Sequence, residues 1–405
     1  MKIIYNRKSL KTPFYASMGS WKGVTSTLGF VDYASAAPTR NNLIQCFQNK
    51  NLATLVENIS SHISEFCELL RRTTKGNGDV DGVVIFRLLA LDIVTDVLWG
   101  EQKTLLSSLS DTTPEFLRRF HAFSSYNAMK SFFPGFDTYV RYFGTPKWRQ
   151  LRQDCSDMDV TAKDALSRWH SEGGHRDKDV LGMLLSMHEA VDERKRVPKD
   201  HIPAYMVEMM AAGSSTTSHT ATFTCHQLAY HPEIQHKLRK ELKTAFPDSA
   251  NIDEKEMMDL PMLDAVLRET MRSMPMIPGP LERLLGEAVT VDRLQIPSGV
   301  IASTAAYDQC RLPSVFPDPE SWHPERWFEA SDAMHLNWIP FGYGSRSCPG
   351  SNLAMTELKY MIGTTFRLFQ VGPPENHAQE PLELRDVFVS AQKSGQCWLR
   401  FKEDA

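Results

Sequence analysis

A single cysteine in a loop of glycines constrains this chain more than any other feature. The loop reads Phe-Gly-Tyr-Gly-Ser-Arg-Ser-Cys-Pro-Gly over residues 341–350, and apolar residues recur at helical spacing over residues 351–369. Pro349 suits the first position of that helix, because its missing N–H would be unpaired there anyway. A thiol must lose its proton to bind a metal, and a helix N-terminus stabilises the thiolate. We therefore interpret Cys348 as a metal ligand.

The rest of the loop suits a haem. Gly344 and Gly350 would let the backbone approach a flat macrocycle closely. Phe341 would shield the sulfur from water, and Arg346 is a candidate partner for a haem propionate, because a guanidinium pairs well with a carboxylate. A thiolate ligand on haem iron favours cleavage of an O–O bond. The alternative is a buried, inert thiol, which is the usual role of an isolated cysteine.

Five positions of the loop resemble the haem-binding signature Phe-x-x-Gly-x-Arg-x-Cys-x-Gly of the cytochrome P-450 family. They are Phe341, Gly344, Arg346, Cys348 and Gly350. The resemblance implies a mainly α fold with small β-sheets, and a haem b whose iron has the Cys348 thiolate as its axial ligand. No low-complexity linker divides the chain, so we expect residues 1–405 to form one haem-thiolate domain.

Composition narrows the choice of partners. The net charge is −4 with both signs interspersed, which gives no basic stripe of the kind that binds nucleic acid. The seven cysteines are an odd number, widely spaced and without a Cys-x-x-Cys pair, which argues against a disulfide framework and against a zinc site. The pattern fits a reducing compartment.

The sequence contains no segment long and apolar enough to span a bilayer. The best run, residues 83–99, contains Arg87, Asp92 and Asp96, and no signal peptide opens the chain. Eukaryotic members of the family begin with a membrane anchor, a proline-rich hinge and the first strands of a β-sheet, and we expect this chain to lack them. The resemblance implies a monomer at the cytosolic face of the endoplasmic reticulum membrane, with peripheral contact, or in the cytosol without an anchor.

A second motif lies within a helical pattern over residues 200–228, whose few charges predict a buried helix. The run Ala-Gly-Ser-Ser-Thr-Thr at 212–217 resembles the family's oxygen-binding signature. The resemblance implies that Gly213 makes room beside the iron and that Thr216, with Ser215, organises oxygen and protons. Ser215 stands where the family usually has an acid, and a serine cannot hold a charge near neutral pH. The alternative is a small-residue face for helix packing.

A third motif is a predicted ion network. Glu269 and Arg272 lie three residues apart on one face of a predicted helix over residues 260–272, where an ion pair can form. Such pairs are common on helices. Arg326, in the sequence Pro-Glu-Arg-Trp, resembles the family's arginine that joins this pair under the haem loop. We therefore expect a structural role for these three residues, because buried ion networks specify geometry.

Two more arginines resemble propionate partners. Arg283 follows Ile-Pro-Gly-Pro-Leu-Glu, which resembles the family's strand entry beside the haem. Arg40 matches an arginine that the family pairs with an aromatic residue or histidine four positions earlier, where this chain has Ala36, with Tyr33 nearby. A solvated surface arginine is the alternative for Arg40.

Aromatic residues are dense over residues 115–143. By family position this segment is the lid over a substrate pocket, and simple core packing is the alternative. Short strands are predicted over residues 288–306, and a hairpin is predicted near Val387–Val389.

The resemblance implies that one oxygen atom of O₂ is inserted into an apolar small molecule, by hydroxylation, epoxidation or oxidative coupling. The chain has no dinucleotide fingerprint, so electrons from NADPH would arrive through a separate NADPH–cytochrome P-450 reductase. The sequence style resembles filamentous-fungal members that serve secondary metabolism, including mycotoxin biosynthesis.

Two other hypotheses remain open. One is a haem-thiolate isomerase or dehydratase that needs no reductase, motivated by Ser215. The other is a truncated, non-catalytic remnant whose strands near residues 290–306 have unpaired edges, which would promote aggregation.

Overall fold

The structure, a computed structural model, describes the chain except for residues 2–3, 7, 22–23, 75–77, 101–104, 108–114, 134, 172–178, 190–195, 197, 250–251, 380 and 405. The described residues are mainly helical. The helices are α1 (Pro13–Met18), α2 (Tyr33–Cys46), α3 (Asn49–Thr74), α4 (Gly82–Trp99), α5 (Glu115–Phe132), α6 (Phe136–Phe143), α7 (Pro146–Ser171), α8 (Val180–His188), α9 (Ile202–Tyr230), α10 (Pro232–Ala245), α11 (Glu254–Asp259), α12 (Pro261–Ser273), α13 (Ala306–Gln309), α14 (Asp332–Asn337) and α15 (Ser351–Leu368).

The strands are short and pair antiparallel. They are β1 (Ser20–Trp21), β2 (Val24–Thr25), β3 (Val80–Asp81), β4 (Arg283–Leu284), β5 (Val289–Val291), β6 (Leu294–Ile296), β7 (Ile301–Ala302), β8 (Phe369–Gly372), β9 (Leu384–Val387), β10 (Val389–Gln392) and β11 (Trp398–Glu403). The sheets have the strand orders β1-β2, β4-β7, β5-β6, β3-β11-β8 and β10-β9. The expected mainly α fold with small sheets is confirmed.

Helices α4 and α9 form the centre of the core. Helix α9 packs against α4, α7, α12 and α15, which agrees with the burial predicted from its few charges. One cluster of buried apolar side chains extends from Leu43 to Phe401 and includes most of the buried face of α4. Pro232 begins α10 directly after His231 ends α9, as expected for a residue that cannot continue a helix.

The acidic residues of the apolar helix α4 are tolerated because each has partners. The Asp92 carboxylate accepts the N–H groups of Leu105 at 2.9 Å and Leu106 at 3.0 Å. Burial nevertheless raises the pKa of Asp92 to about 6. Asp96 Oδ2 lies 3.0 Å from His62 Nε2. Among the described residues, no helix is long and apolar enough to cross a membrane.

The beginning of the chain lies along the strands that precede the cysteine loop. Leu10 and Leu284 exchange two backbone hydrogen bonds, of 2.9 and 2.8 Å. The Tyr5 hydroxyl donates to the Leu281 carbonyl at 2.9 Å and accepts the Thr304 N–H at 2.7 Å. The strands near residues 290–306 therefore have partners, since β4 pairs with β7 and β5 pairs with β6. Because both sheets have two strands, outer edges remain among the described residues, and the remnant hypothesis stays open.

Candidate functional site

The cysteine loop is a tight turn held by its own backbone. The N–H of Cys348 donates to the Phe341 carbonyl at 2.7 Å, and Gly342 and Gly344 have φ values of 72° and 75°. Helix α15 begins at Ser351 with Gly350 as its N-cap. Pro349 therefore precedes the cap and is not the first helical residue, so the predicted helix start is corrected by two positions.

The Cys348 sulfur lies in an unusual environment. The residue is exposed, yet the surrounding protein removes enough water to raise the pKa of its thiol. The side chain is therefore accessible although protein atoms surround its sulfur. The backbone N–H of Gly350 and the charge of Arg40 act in the opposite direction, because both favour the thiolate. A bound metal cation would stabilise the thiolate further.

The other cysteines lack this combination. Cys155 is half-buried and Cys348 is exposed, whereas the remaining five are buried. Burial raises the pKa of Cys46 and of Cys67 to about 12. Cys397 packs in the main core beside β11, and its N–H bonds to Asp81 at 2.9 Å. These thiols behave as buried small hydrophobes.

The two motif glycines differ in their surroundings. A Cβ atom on Gly344 would lie 2.1 Å from the Tyr5 carbonyl oxygen, whereas a Cβ on Gly350 would meet nothing within 4 Å. Gly344 is therefore required by its positive φ and by the backbone of Tyr5, and its approach to a macrocycle stays a prediction. Gly350 borders open space.

Three predicted propionate partners and one lysine form a cationic cluster, which consists of Lys11, Arg40, Arg283 and Arg346. Arg40 donates to the Ser347 carbonyl beside the cysteine. Arg346 donates to the carbonyls of Phe30 and Val31, and its buried Nε has no hydrogen-bond partner among the described residues. Arg283 is buried, and its guanidinium lies 5.1 Å from the centre of the Tyr5 ring.

Sequence reasoning missed Lys11. Its Nζ donates to the Leu28 carbonyl at 2.6 Å. Burial, together with the charges of Arg346, Arg283 and Arg40, lowers the pKa of Lys11 to about 7. Nothing in its sequence context marks it, because it gains its neighbours only when the chain folds.

Two acids act on the four cations of the cluster. Glu208 raises the pKa of Lys11, and Asp32 raises the pKa of Arg346. The Glu208 carboxylate already accepts the N–H groups of Thr27 and Leu28 and the hydroxyls of Ser26 and Thr27. Clustered cations in a partly desolvated site repel one another unless an anion joins them. The arrangement fits a ligand with two carboxylates, such as the propionates of a haem.

The second motif lies in the middle of α9. The Thr216 hydroxyl donates to the Ala212 carbonyl at 2.7 Å, and Ala212 is exposed. A Cβ atom on Gly213 would lie 3.1 Å from Val94 of α4, so a small residue here also suits the packing of the two helices. The expected role of Gly213 beside the iron stays a prediction. Ser215 is half-buried, and its carbonyl oxygen lies 2.7 Å from His219 Nδ1.

The structure brings Glu269, Arg272 and Arg326 together. Arg272 makes two bonds of 2.9 Å to the Glu269 carboxylate, and Arg326 Nε donates to the same carboxylate at 3.0 Å. The Arg272 and Glu269 side chains are fully buried. Arg272 also donates to the carbonyls of Cys310, Pro319 and Ser321. The network therefore fixes the chain between α13 and the short 3₁₀ turn Pro324–Trp327.

A chain of aromatic rings joins this network to the cysteine loop. Trp327 Nε1 donates to Glu269 at 3.0 Å. The ring centre of Trp338 lies 5.9 Å from that of Trp327 and 6.2 Å from that of Phe341. The Phe341 carbonyl in turn accepts the hydrogen bond of the Cys348 N–H. Trp338 was not predicted, although a tryptophan needs a partner for its N–H, which Trp338 finds in the Arg268 carbonyl at 3.1 Å.

The aromatic segment is only partly buried. Tyr126 is buried and donates to Asp137 at 2.9 Å. Its exposed members are Phe132, Phe133, Tyr139, Tyr142 and Phe143, so core packing is wrong for these five. The side chains of Phe116, Phe120 and Phe123 lie outside the described residues.

Comparison with known proteins agrees with this geometry. Residues 14–398 match the family model described as Cytochrome P450. The chain belongs to the cytochrome P450 family. Members of this family hold a haem iron with a cysteine thiolate. The exposed thiol, the cationic cluster and the unpartnered Arg346 Nε fit that group.

Similar relatives within the family include three mammalian proteins. "Cytochrome P450 11B2, mitochondrial" of Mesocricetus auratus is 28% identical over 74% of this chain and 58% of its own length. "25-hydroxyvitamin D-1 alpha hydroxylase, mitochondrial" of Homo sapiens is 28% identical over 80% and 66%. "Cytochrome P450 3A31" of Mesocricetus auratus is 27% identical over 85% and 68%. The chain thus spans about three fifths of the length of such relatives.

Proposed function

We propose that this chain is a haem-thiolate monooxygenase in which Cys348 binds the iron. The observation that carries the proposal is the Cys348 thiol, which is accessible yet surrounded by protein atoms just before the start of α15. A haem bound there supplies the activation of O₂ and the transfer of one oxygen atom to an organic substrate. The core cluster that extends from Leu43 to Phe401 supports one domain over residues 1–405.

The side chains of the site have separate roles in this proposal. Arg40, Arg283 and Arg346 bind the propionates, and Lys11 adds a fourth cation. Phe341 supports the loop and limits the access of water to the sulfur. On α9, Thr216 and Ser215 present polar groups to the oxygen side, while Gly213 sets the packing of that helix on α4.

Substrate and partner follow from the family. We propose an apolar small molecule, oxidised in fungal secondary metabolism, and electrons from NADPH through a separate reductase. Several similar relatives are named as mitochondrial, so a ferredoxin-type donor is the other system to test. The proposed location is the cytosolic face of the endoplasmic reticulum membrane. Turnover with only one of the two purified electron-transfer systems would identify the donor.

The absorption spectrum of the dithionite-reduced protein with carbon monoxide tests the ligand. We expect the red-shifted Soret band that is typical of thiolate ligation, and its loss in Cys348→Ser. Cys155→Ser is the matched control, because Cys155 is half-buried and away from the loop; Cys397→Ser tests the buried thiol beside β11. A thiolate band that persists in Cys348→Ser would refute the assignment.

A second candidate function is a haem-thiolate isomerase or dehydratase, favoured by Ser215 in place of an acid. It would convert an oxygenated substrate without O₂, NADPH or a reductase. Product formation under anaerobic conditions without a reductase would support it. A protein that folds but shows no haem band would instead support the remnant hypothesis.

A further inference from the structure

Three phenylalanine rings from distant parts of the chain meet beside α1. We call them the aromatic cluster, which consists of Phe14 of α1, Phe132 at the end of α5 and Phe388 at the turn between β9 and β10. The ring centre of Phe14 lies 5.5 Å from that of Phe132 and 6.0 Å from that of Phe388, and both pairs are tilted by 49°. Rings at such distances attract one another. Phe14 therefore joins α5 to the hairpin.

The rings of the aromatic cluster are only partly covered. Phe132 is 55% exposed, and Phe14 and Phe388 are half-buried. Apolar surface that stays in contact with water gains free energy when a further apolar group covers it. The cluster therefore has ring surface available for one more partner.

The backbone of Phe388 is strained. Its φ is 78°, which a bulky side chain rarely adopts and which glycine adopts freely. Asp386 Oδ1 accepts the Phe388 N–H at 2.8 Å, and the Ser390 hydroxyl donates to the Pro275 carbonyl at 2.7 Å, so the turn is held from both sides. Glycine would fit this turn without strain. A strained residue that its surroundings hold in place points to a role for its side chain.

Tyr15 connects the aromatic cluster to the cationic cluster. Its ring centre lies 5.4 Å from that of Phe14, with an angle of 79° between the rings. Lys11 Nζ lies 5.0 Å and the Arg283 guanidinium 6.0 Å from the same Tyr15 ring centre. The aromatic cluster therefore borders the place where the propionates bind in the proposed function. A molecule that contacts these rings would lie beside the edge of the haem.

We propose that the aromatic cluster selects a planar aromatic small molecule as the substrate of this chain. The inference rests on the proposed function. The three side chains carry no hydrogen-bonding group, so they recognise a partner through ring contacts. An aromatic ring has a negative face and a positive edge, and it gains attraction from tilted neighbours that a saturated ring of similar size lacks. The cluster therefore favours aromatic substrates over saturated ones.

Equilibrium dialysis of the haem-loaded protein against two matched probes measures this preference. The probes are 2-naphthol and decahydro-2-naphthol, which share a carbon skeleton and a hydroxyl group and differ in aromaticity. We expect the wild type to bind 2-naphthol about tenfold more tightly, although the saturated probe is the more hydrophobic. Comparing the ratio of the two dissociation constants between variants cancels the different hydrophobicities of the probes.

Leucine variants remove the rings and keep apolar side chains. Phe14→Leu and Phe132→Leu should each lower the preference for 2-naphthol about three- to tenfold, because ring contacts are lost. Phe132→Tyr keeps the ring at an exposed position, so its preference should stay within about twofold of the wild type. The matched control is Phe133→Leu, because Phe133 is 56% exposed and pairs with none of the three rings among the described residues. Its preference should not change.

Phe388→Gly separates the ring from the strain of its backbone. The preference for 2-naphthol should fall as in the leucine variants, while the midpoint of thermal unfolding should not fall, because glycine adopts this φ freely. A lower midpoint would show that the ring serves the packing of the hairpin, which overturns the inference.

The outcomes distinguish the inference from the proposed function. A wild-type protein without a thiolate–haem spectrum overturns both together. A normal spectrum with equal or reversed affinity for the two probes overturns the inference alone, because the rings then provide only apolar surface. A preference that persists in both leucine variants also overturns it. If Phe14→Leu does not fold, Phe132→Leu at its exposed position decides.

Discussion

Replacement of Lys11 by methionine tests whether the cationic cluster is an anion site. Lys11 is 7% exposed and lies among Arg40, Arg283 and Arg346. In the unfolded chain its pKa is 10.5, whereas burial and the neighbouring cations lower it to about 7 in the folded protein. The folded apoprotein therefore binds fewer protons than the unfolded chain between these pH values, and it loses stability as the pH falls from 10.5 to 7.

The magnitude follows from the two pKa values. Each pH unit between them corresponds to about 1.4 kcal/mol, so charged Lys11 costs about 5 kcal/mol below pH 7 and nothing above pH 10.5. At about pH 9.5 the cost is about 1.4 kcal/mol, and at about pH 6.5 it is about 4.6 kcal/mol. Lys11→Met removes this cost, and it also removes the hydrogen bond to Leu28, worth about 1 kcal/mol at either pH.

Urea unfolding of the haem-free protein at the two pH values measures the difference. We expect Lys11→Met to increase the free energy of unfolding over that of the wild type, and this increase should be about 3 kcal/mol larger at about pH 6.5 than at about pH 9.5. Lys240→Met, at an exposed lysine, should show no such difference. In the haem-loaded protein the propionates should offset the repulsion, so the pH dependence should shrink and Lys11→Met should release haem faster. Equal pH dependence with and without haem would refute the reasoning.

Three other substitutions test the framework of the site. Arg272→Met should destabilise the protein by about 3–5 kcal/mol in thermal unfolding, because it leaves the buried Glu269 carboxylate with fewer partners; a loss under about 1 kcal/mol would contradict this. Gly344→Ala should lower haem content because of its positive φ and the Tyr5 carbonyl, while Gly350→Ala should be tolerated; equal haem content would refute the difference. Trp338→Phe should lower the stability by about 1–3 kcal/mol, because it removes the hydrogen bond to the Arg268 carbonyl, and it should broaden the Soret band. An unchanged stability would show that the chain of aromatic rings does not stabilise the cysteine loop.

Much of the helical framework was predictable because its signals are local. The apolar pattern of residues 83–100 and the few charges of residues 200–228 predicted α4 and α9 to within a few residues. The hairpin near Val387–Val389 was also found, and Phe388 adopts a φ of 78° at its turn. The pairing of Leu10 with Leu284 was not predicted, because neither residue carries a signal that points to so distant a partner.

The residues of the site also fall into those with a signal in the sequence and those without one. The sequence placed Cys348, Arg346 and the residues of the ion network by their resemblance to family motifs. It could not find Lys11 or Trp338, because each gains its neighbours from elements that meet only in the folded chain. Lys11 meets the arginines, and Trp338 meets Trp327 and Phe341. A lysine in a sequence is otherwise expected at the surface.

Residues of the motifs also separate into two physical kinds. Gly344 is required by its positive φ and by the Tyr5 carbonyl, and Gly213 lies close to Val94 of α4. The Cys348 thiol is instead exposed, and the buried Arg346 Nε has no hydrogen-bond partner among the described residues. A buried donor without a partner is unfavourable unless a ligand accepts its hydrogen bond. Substitution at the first kind lowers the amount of folded, haem-loaded protein but leaves the chemistry of each loaded molecule unchanged. Activity must therefore be divided by haem content before a motif residue is given a chemical role.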